Sequence, residues 1–222
     1  MKNICVLIPS YNEAKTIGAL VRAVKAKGYV VYVVDDGSTD GSALIAMNEG
    51  AVVVRHKVNK GKGASLREGF SHVLKKGYEA VVVMDGDNQH EVEDIGNLIT
   101  RMEATGADMI IGNRMQDTSR MPKVRILVNS FMSFMISVIS GQRLPDTQCG
   151  FRIISRRALG AMRLLSSNYE IESEMIIQCA RAGFRMESAP IKTVYEDQIS
   201  KINPFVDTMR FIGFLIHTAM RR

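Results

Sequence analysis

The sequence predicts a single large α/β domain with a predominantly parallel central sheet covered by helices on both faces. Short apolar runs rich in Val and Ile alternate with helical stretches throughout the first half of the chain. These runs are apolar at nearly every position, which is typical of strands that are buried on both faces. The length of 222 residues is ample for a full hydrophobic core.

The elements of the first half follow in a regular order. The predicted strands are NICVLIPS, YVVYVVDDGS, AVVVRH, YEAVVVMDGD and DMIIGNR. The predicted helices between them are NEAKTIGALVRAVKAKG, TDGSALIAMNEG, KGASLREGFSHVLKKG and EVEDIGNLITRMEATG, each closed by a glycine. Strands and helices alternating in this way predict parallel pairing.

The pattern changes after Arg114. The stretch ILVNSFMSFMISVISG predicts a helix rich in Met, Phe and Ile, and DTQCGFRIISRRAL a loop, a short strand and the start of a helix. EIESEMIIQCARAGF predicts a helix and RMESAPIKTVY a strand, before a tail that is helical and apolar nearly all round. We therefore expect one large α/β domain over residues 1–202 and a C-terminal apolar helix over residues 203–222.

Composition and charge narrow the function classes. The net charge of +6 predicts an anionic partner. Aromatic residues make up 6% and tryptophan is absent, so the basic and aromatic signature of single-stranded nucleic acid binding is missing. No G-x-G-x-x-G follows the first strand and NKGKGAS does not have the spacing of a P-loop. The three widely separated cysteines indicate reduced thiols, and no signal peptide or spanning apolar run is expected.

Polar residues follow most of the predicted strands. The segments PSYNE, DDGSTD, DGDNQH and GNR come directly after apolar runs. Ligands of open parallel sheets bind at the carboxyl ends of strands, so these segments predict a single site.

The acidic pair Asp85 and Asp87 predicts a divalent metal. If the strand continues through Asp87, both carboxylates point to the same side, because strand geometry repeats every two residues. Carboxylate oxygens suit Mg²⁺ or Mn²⁺, which bind substrate phosphates in the same shell. Gln89 adds a neutral oxygen. An isolated D-x-D is more often a turn that caps the next helix, and its position after a buried strand is what favours the metal.

The motifs IPSYNE, VVDDGSTDGS, NKGKGAS, VMDGDNQH, GNR and DTQCGFR occur in this order over roughly residues 3–201. This order resembles family 2 glycosyltransferases of the GT-A fold, and among them the polyprenyl-phosphate glycosyltransferases of the dolichol-phosphate mannose synthase type. The resemblance implies an inverting, metal-dependent transfer of a sugar from a GDP- or UDP-linked donor to polyprenyl phosphate.

The resemblance also implies roles for individual residues. The nucleotide base and ribose are expected near the β-strand ends, at Pro9, Tyr11, Glu13, Val34 and Asp36. Asp85, Gly86 and Asp87 are expected at the ribose, the diphosphate and the metal, with Gln89 as a further metal ligand. Arg114 is expected at the reaction centre, Asp146 beside the sugar or its loop, and Arg125, Asn129 and Lys201 at the acceptor phosphate.

Some of these residues have plainer interpretations as well. Tyr11 and Glu13 also suit a turn and a helix start, and Asp36 suits a helix cap. Arg125 fits a solvated helix position equally well, Arg152 suits a bracing role, and His90 suits a supporting or surface role. Thr193 stands where many relatives have arginine, and the spacer before Lys201 is longer than theirs.

A phosphate acceptor changes the chemistry that is needed. A hydroxyl acceptor requires a carboxylate base, for which Asp146 is the candidate, whereas a phosphate monoester is already a dianion at neutral pH. Bound cations then stabilise the leaving diphosphate. A transferase with a saccharide or lipid hydroxyl acceptor remains the alternative, and a noncatalytic nucleotide-sugar-binding or membrane scaffold protein is the alternative of another class.

The expected location is the cytoplasmic face of a membrane. The Met- and Phe-rich helix suits either a core position or contact with an isoprenoid chain. The C-terminal helix suits a membrane interface, a membrane subunit or a second copy of the chain. Peripheral or borrowed attachment is expected, and nucleic acid is not an expected partner.

Overall fold

The computed structural model describes residues 3–119 and 121–192, together with Gly213. Within this part a seven-stranded sheet carries the hydrophobic core. Its strands are β1 (Ile4–Ser10), β2 (Val30–Asp35), β3 (Val52–Arg55), β4 (Ala80–Val83), β5 (Met109–Asn113), β6 (Arg152–Ser155) and β7 (Met186–Pro190). The helices are α1 (Ile17–Ala26), α2 (Ser42–Asn48), α3 (Lys62–Leu74), α4 (Asp94–Thr105), α5 (Lys123–Ser140), α6 (Arg156–Ala161) and α7 (Ile171–Arg181).

The strand order is β3-β2-β1-β4-β6-β5-β7, and all neighbours are parallel except those of β6. This agrees with the prediction of a predominantly parallel sheet. Crossovers between parallel strands are right-handed, so α1 and α2 lie on one face and α3, which returns the chain from β3 to β4, lies on the other. The direction of winding reverses between β1 and β4, which is where ligands bind in such sheets.

The apolar runs explain the buried sheet. Every residue of β4 is buried, as are the residues of β5, because helices cover both faces of these central strands. The side chains of Leu7, Leu66 and Ile110 have no exposed surface. The three cysteines are buried as free thiols, which agrees with the expected reduced state, and burial raises the pKa of Cys149 to about 12.

Two local predictions were wrong. The first helix was expected from Asn12, but α1 begins at Ile17 because Asn12 adopts the left-handed conformation with φ 54° and starts a turn. The strand before the acidic pair was considered as far as Asp87, but β4 ends at Val83. Asp85 and Asp87 therefore lie in a turn, and Asn88 with φ 62° reverses the chain behind them.

The second half inserts β6 antiparallel between β4 and β5. Its first residue, Arg152, is paired with Val83 at the carboxyl end of β4 and with Ile111 of β5. The motif DTQCGFR therefore reaches the same edge of the sheet as the acidic pair. The predicted C-terminal helix, residues 203–222, lies outside the described residues, so the division at residue 202 stays a prediction.

Candidate active site

The loops after β1 and β2 hold each other in place. The backbone N–H groups of Asn12, Glu13 and Ala14 donate hydrogen bonds to the side chains of Ser38, Ser42 and Asp40, at 2.9, 2.8 and 2.9 Å. Asp40 also accepts the backbone N–H of Ser42, the first residue of α2, so it links the start of this helix to the neighbouring loop, although the N-cap residue is Gly41. The hydroxyl-rich sequence DDGSTDGS thus fixes the segment that carries the predicted nucleotide-binding residues.

Those predicted residues differ in how much surface they offer. Tyr11 is 40% exposed and Glu13 is half-buried at the carboxyl end of β1. Pro9 is half-buried and is paired with Val34, whose side chain is fully buried in the core. Tyr11, Glu13 and Pro9 therefore have surface available to a ligand. Val34 has none and can only support Pro9 from within the core.

Asp36 fastens the loop before α3. Its Oδ1 lies 2.6 Å from Nδ1 of His56 and accepts the backbone N–H of Lys60, and its Oδ2 accepts the backbone N–H of Gly61 at 2.8 Å. It does not cap α2. Its buried carboxylate instead positions the NKGKGAS segment. Gly61 in this segment has to be a glycine, because its φ is 95° and a Cβ would collide with Ser167 O.

The acidic turn lies beside the end of β1. A Cβ added at Gly86 would lie 3.5 Å from both Pro9 O and Glu13 Cγ, so the turn passes close to the end of β1 and the residues that follow it. Thr16 donates a hydrogen bond of 2.7 Å to Gly86 O, which ties the turn to α1. The structure therefore brings the predicted base, ribose and diphosphate residues together at the point where the winding reverses.

The two acids of this turn differ in their surroundings. Burial by itself raises the pKa of Asp85, but the adjacent charge of Lys62, with His90, lowers it well below its usual range. Burial, and then the charge of Asp85, raises the pKa of Asp87. Oδ1 of Asp87 accepts only the backbone N–H of Gln89, at 3.1 Å, among the contacts of the described chain. Asp87 thus forms no ion pair with a lysine or arginine among residues 3–119 and 121–192.

This turn fits a divalent cation. Two carboxylates and the amide of Gln89 are hard oxygen donors, and all three side chains are half-buried. No group of three or more His, Cys, Asp or Glu side chains with metal-binding geometry exists in the described residues. A cation here would therefore complete its shell with oxygens of a bound diphosphate and with water, as Mg²⁺ commonly does.

Lys62, Glu172 and Arg152 form a buried ionic network beside the acidic turn. Nζ of Lys62 lies 2.5 Å from Asp85 Oδ1 and 2.8 Å from Glu172 Oε1. Arg152 is paired with the other Glu172 oxygen, and it also donates to the carbonyls of Cys149 and Glu172. Arg152 thus braces the site, as the sequence analysis expected. His90, also expected in a supporting role, is buried and stacks on Phe151 with ring centroids 5.1 Å apart.

Sequence reasoning missed Lys62 and Glu172. Lys62 stands in NKGKGAS, a segment that the sequence distinguishes only as one of the family motifs and by its failure to match the spacing of a P-loop. Glu172 lies in the first turn of α7, where an acid is ordinarily a solvated residue favoured by the helix dipole. The one available signal was the pair of glycines around Lys62, since both pack against the loop before α7: a Cβ on Gly63 would lie 2.5 Å from Ser166 O.

Arg114 and Asp146 form a second buried ion pair. Arg114 Nε and Nη2 donate to the two Asp146 oxygens at 2.8 and 2.9 Å, and the Arg114 backbone N–H donates to the same carboxylate at 3.1 Å. Burial by itself raises the pKa of Asp146, but the charge of Arg114 and these hydrogen bonds lower it below its usual range. A carboxylate held in this way positions Arg114 and is poorly suited to accept a proton.

The start of α5 carries the remaining described acceptor-site candidates. Arg125 is half-buried, so its role at the acceptor phosphate stays a prediction. Asn129 is buried, and its Nδ2 donor has no hydrogen-bond partner in the described chain. A buried donor without a partner is costly, so an acceptor oxygen from a ligand is expected there. Lys201 lies outside the described residues.

Comparison with known proteins identifies the family. The chain matches the family model "Glycosyl transferase family 2" over residues 5–162. It belongs to that family, as the motif resemblance indicated.

Two relatives and one solved structure define the similarity further. An undecaprenyl-phosphate mannosyltransferase of Micrococcus luteus is 31% identical over 203 residues, 85% of this chain and 82% of the relative. A UDP-N-acetylglucosamine–dolichyl-phosphate N-acetylglucosaminyltransferase of Methanococcus voltae is 28% identical over 220 residues, 88% of this chain and 87% of the relative. The fold is similar to that of glucosyl-3-phosphoglycerate synthase from Mycobacterium tuberculosis, solved with Mn²⁺, UDP and phosphoglyceric acid (TM-score 0.73, 17% identity, 97% of this chain and 78% of that one).

Replacing Asp146 by Asn tests the buried pair. Removing one partner leaves the Arg114 charge buried and unpaired, so we expect the free energy of unfolding in urea at pH 7 to fall by about 3–5 kcal/mol. Because the pKa of Asp146 is lowered on folding, its contribution is present above its ordinary pKa of about 4 and is lost as the pH falls below it. The difference in the free energy of unfolding between wild type and variant should therefore become smaller below about pH 4.

The exposed Glu79→Gln is the matched control and should change the free energy of unfolding by less than about 0.5 kcal/mol. A loss in Asp146→Asn no larger than that of the control would contradict the buried-pair account.

Proposed function

We propose that this protein transfers a sugar from a nucleoside diphosphate donor to the phosphate of a polyprenyl lipid. The proposal depends on the burial and charge pairing of two carboxylates. One lies beside Arg114 and the other lies beside the acidic turn. Asp146 and Glu172 are both buried and both paired with cations, Arg114 in one case and Lys62 with Arg152 in the other. Neither is suited to activate a hydroxyl.

An acceptor that is ionised in advance fits this arrangement. A phosphate monoester has its second pKa near 6 and attacks as a dianion at neutral pH without a protein base. What it needs is positive charge and hydrogen-bond donors. At the start of α5, Arg125 would supply the charge, and Nδ2 of Asn129, which has no partner among the described residues, would supply a donor. Arg114 follows the end of β5 toward the same edge. The relatives named for undecaprenyl phosphate and dolichyl phosphate support this choice over a hydroxyl acceptor.

The donor is proposed to bind where the winding reverses. Pro9, Tyr11 and Glu13 would contact the base and ribose, with Val34 and Asp36 shaping that pocket. Asp85, Gly86 and Asp87 would meet the ribose and diphosphate.

A divalent cation, Mg²⁺ or Mn²⁺, would be held by Asp85, Asp87 and Gln89 and would supply electrostatic stabilisation of the departing diphosphate. The raised pKa of Asp87, which forms no ion pair within the part of the chain that the structure describes, supports this ligand set. The chain's own part is to fix the carboxylates through the turn at Asn88 and the contacts of Gly86, and to hold Arg114 rigidly through Asp146. Such preorganised charge costs no reorganisation when the diphosphate leaves.

The exposed face of α5 supports a reaction at the membrane surface. Val124, Leu127, Phe131, Phe134 and Val138 are each more than half exposed, and their spacing of three and four residues forms one stripe along the helix. The inward face holds Asn129, Ser133 and Ile136. Among the described helices, α5 is the one long and apolar enough by length and composition to cross a membrane.

We propose that this stripe lies on the lipid surface, on the cytoplasmic side where nucleotide sugars are available, and that the lipid phosphate enters beside Asn129. Lys123 and Arg125 at the helix start suit anionic headgroups. The predicted contributions of Lys201 and of the helix over residues 203–222, as a membrane contact, a subunit contact or a dimer contact, lie outside the described residues.

A transfer assay tests the reaction. The purified chain would receive radiolabelled GDP-mannose, UDP-glucose or UDP-N-acetylglucosamine with a short polyprenyl phosphate, in Mg²⁺, Mn²⁺ or EDTA. We expect label in the organic phase with one donor, dependence on the metal, and a loss of kcat/KM of at least about a hundredfold in Asp87→Asn, because the metal and the charge it neutralises are lost together.

The control for this assay is Glu103→Asn, a change at an exposed acid on α4. It should leave turnover unchanged. Donor hydrolysis without lipid product, or equal transfer to a polyprenol that lacks the phosphate, would contradict the proposed acceptor.

Membrane contact is tested on the α5 stripe. The triple variant Leu127→Gln, Phe131→Gln, Phe134→Gln should reduce flotation with phosphatidylglycerol-containing vesicles by at least about tenfold, since it removes most of the apolar surface that would enter the interface. Its urea stability should be unchanged because these side chains are exposed.

Exposed apolar side chains on another helix provide the control for flotation. Leu44→Gln with Met47→Gln on α2 removes exposed apolar side chains and should retain vesicle binding. Unchanged flotation of the α5 variant would show that another surface meets the lipid.

A further inference from the structure

Lys62 occupies a fixed position between the two halves of the site. It is the first residue of α3, and the glycines on either side of it pack against the loop before α7. The backbone N–H of Ala64 donates to Ser167 O at 3.2 Å, which fastens this contact. The Lys62 side chain is only 15% exposed, so its ammonium is held inside the site and is not a mobile surface charge.

The ammonium is shared between two carboxylates, of which one is a proposed metal ligand and the other is not. Nζ lies 2.5 Å from Asp85, a proposed metal ligand, and 2.8 Å from Glu172, which takes no part in the proposed ligand set. Glu172 is in turn paired with Arg152, which has no exposed surface. Gly150 lies so close that a Cβ there would collide with Asp85 Oδ2, and it would lie 2.9 Å from Lys62 Nζ. The four charged groups are therefore closely packed and have little room to move apart.

The charges of this network balance without a metal. Lys62 and Arg152 contribute two positive charges, and Asp85 and Glu172 contribute two negative charges. A divalent cation bound by Asp85 would therefore meet an ammonium on the same carboxylate, and like charges this close in a partly buried site repel strongly. A bound diphosphate would supply negative charge that offsets both cations.

We propose that Lys62 is an internal counter-ion of Asp85 that competes with the divalent cation and thereby makes metal binding depend on the nucleoside diphosphate. Glu172 retains the ammonium when Asp85 turns to the metal, so Lys62 remains in the site as a donor to the diphosphate. Lys62 and Glu172 are thus positioning residues for the acidic turn. This inference rests on the proposed function, because it requires a metal and a diphosphate at the turn.

The test measures Mn²⁺ binding to the full chain by the loss of the free-Mn²⁺ electron paramagnetic resonance signal, alone and with UDP or GDP, after subtraction of binding by the nucleotide. In the wild type we expect the nucleotide to raise Mn²⁺ affinity at least about tenfold. In Lys62→Met we expect nucleotide-free Mn²⁺ affinity to rise at least about tenfold, because the competing cation is gone, and the effect of nucleotide to shrink.

Glu172→Gln provides a result of opposite sign. With this carboxylate neutral, Lys62 is held by Asp85 alone, so nucleotide-free Mn²⁺ affinity should fall below that of the wild type. Lys62→Arg keeps the charge and should stay near the wild type. Lys75→Met, an exposed lysine at the far end of α3, is the matched control and should change nothing.

Several results would overturn the inference. One is an unchanged or lower nucleotide-free affinity in Lys62→Met with native circular dichroism, and another is a gain that persists in Lys62→Met, Asp85→Asn. If Lys62→Met does not fold, unchanged affinity in Glu172→Gln is decisive. Absence of Mn²⁺ binding by the wild type with either nucleotide would overturn both this inference and the proposed metal. Coupled binding without sugar transfer to polyprenyl phosphate would support the inference and remove the proposed acceptor.

Discussion

The pairing of buried carboxylates with buried cations at the edge of the sheet is the constraint on which the site depends. Asp85, Glu172 and Asp146 are all removed wholly or partly from water, and each has a cation in contact. Unpaired, such groups would cost several kcal/mol each, on the order of the whole stability of a domain. The network therefore has to form for the strand ends to come together, and within the described residues Asp87 is not part of it.

This constraint explains the path of the second half of the chain. Arg152 reaches Glu172 because β6 runs antiparallel between β4 and β5 and starts beside Val83. The same insertion brings Gly150 against Asp85 and Phe151 against His90. A strand that entered the sheet elsewhere would leave Glu172 with Lys62 but without Arg152. The fold therefore builds the acidic turn and Lys62 from the first half of the chain, and Arg152 and Glu172 from the second half.

The sequence was informative where local pattern decides structure. The apolar runs predicted β1 to β5, and the order of motifs predicted the family and the edge of the sheet at which the site lies. The pairing of β6 was not predictable, because the register between distant strands is not contained in a local pattern. Asp36 and Glu172 look like helix-cap and first-turn acids in the sequence, and only their long-range partners, His56 and Lys62, reveal that they support the site. The exposed stripe of α5 was likewise open, since a Met- and Phe-rich helix fits a core equally well.

We infer that the acceptor is ionised before it reacts and needs no protein base. The pH dependence of kcat/KM with two different acceptors tests this. One is a polyprenyl phosphate and the other a polyprenyl phosphonate, whose second ionisation occurs at higher pH. The account predicts an acidic limb near pH 6 for the phosphate, set by its second pKa of about 6, and a limb that moves to higher pH with the phosphonate. An acidic limb at the same pH for both acceptors would indicate an enzyme carboxylate acting as general base and would contradict the account.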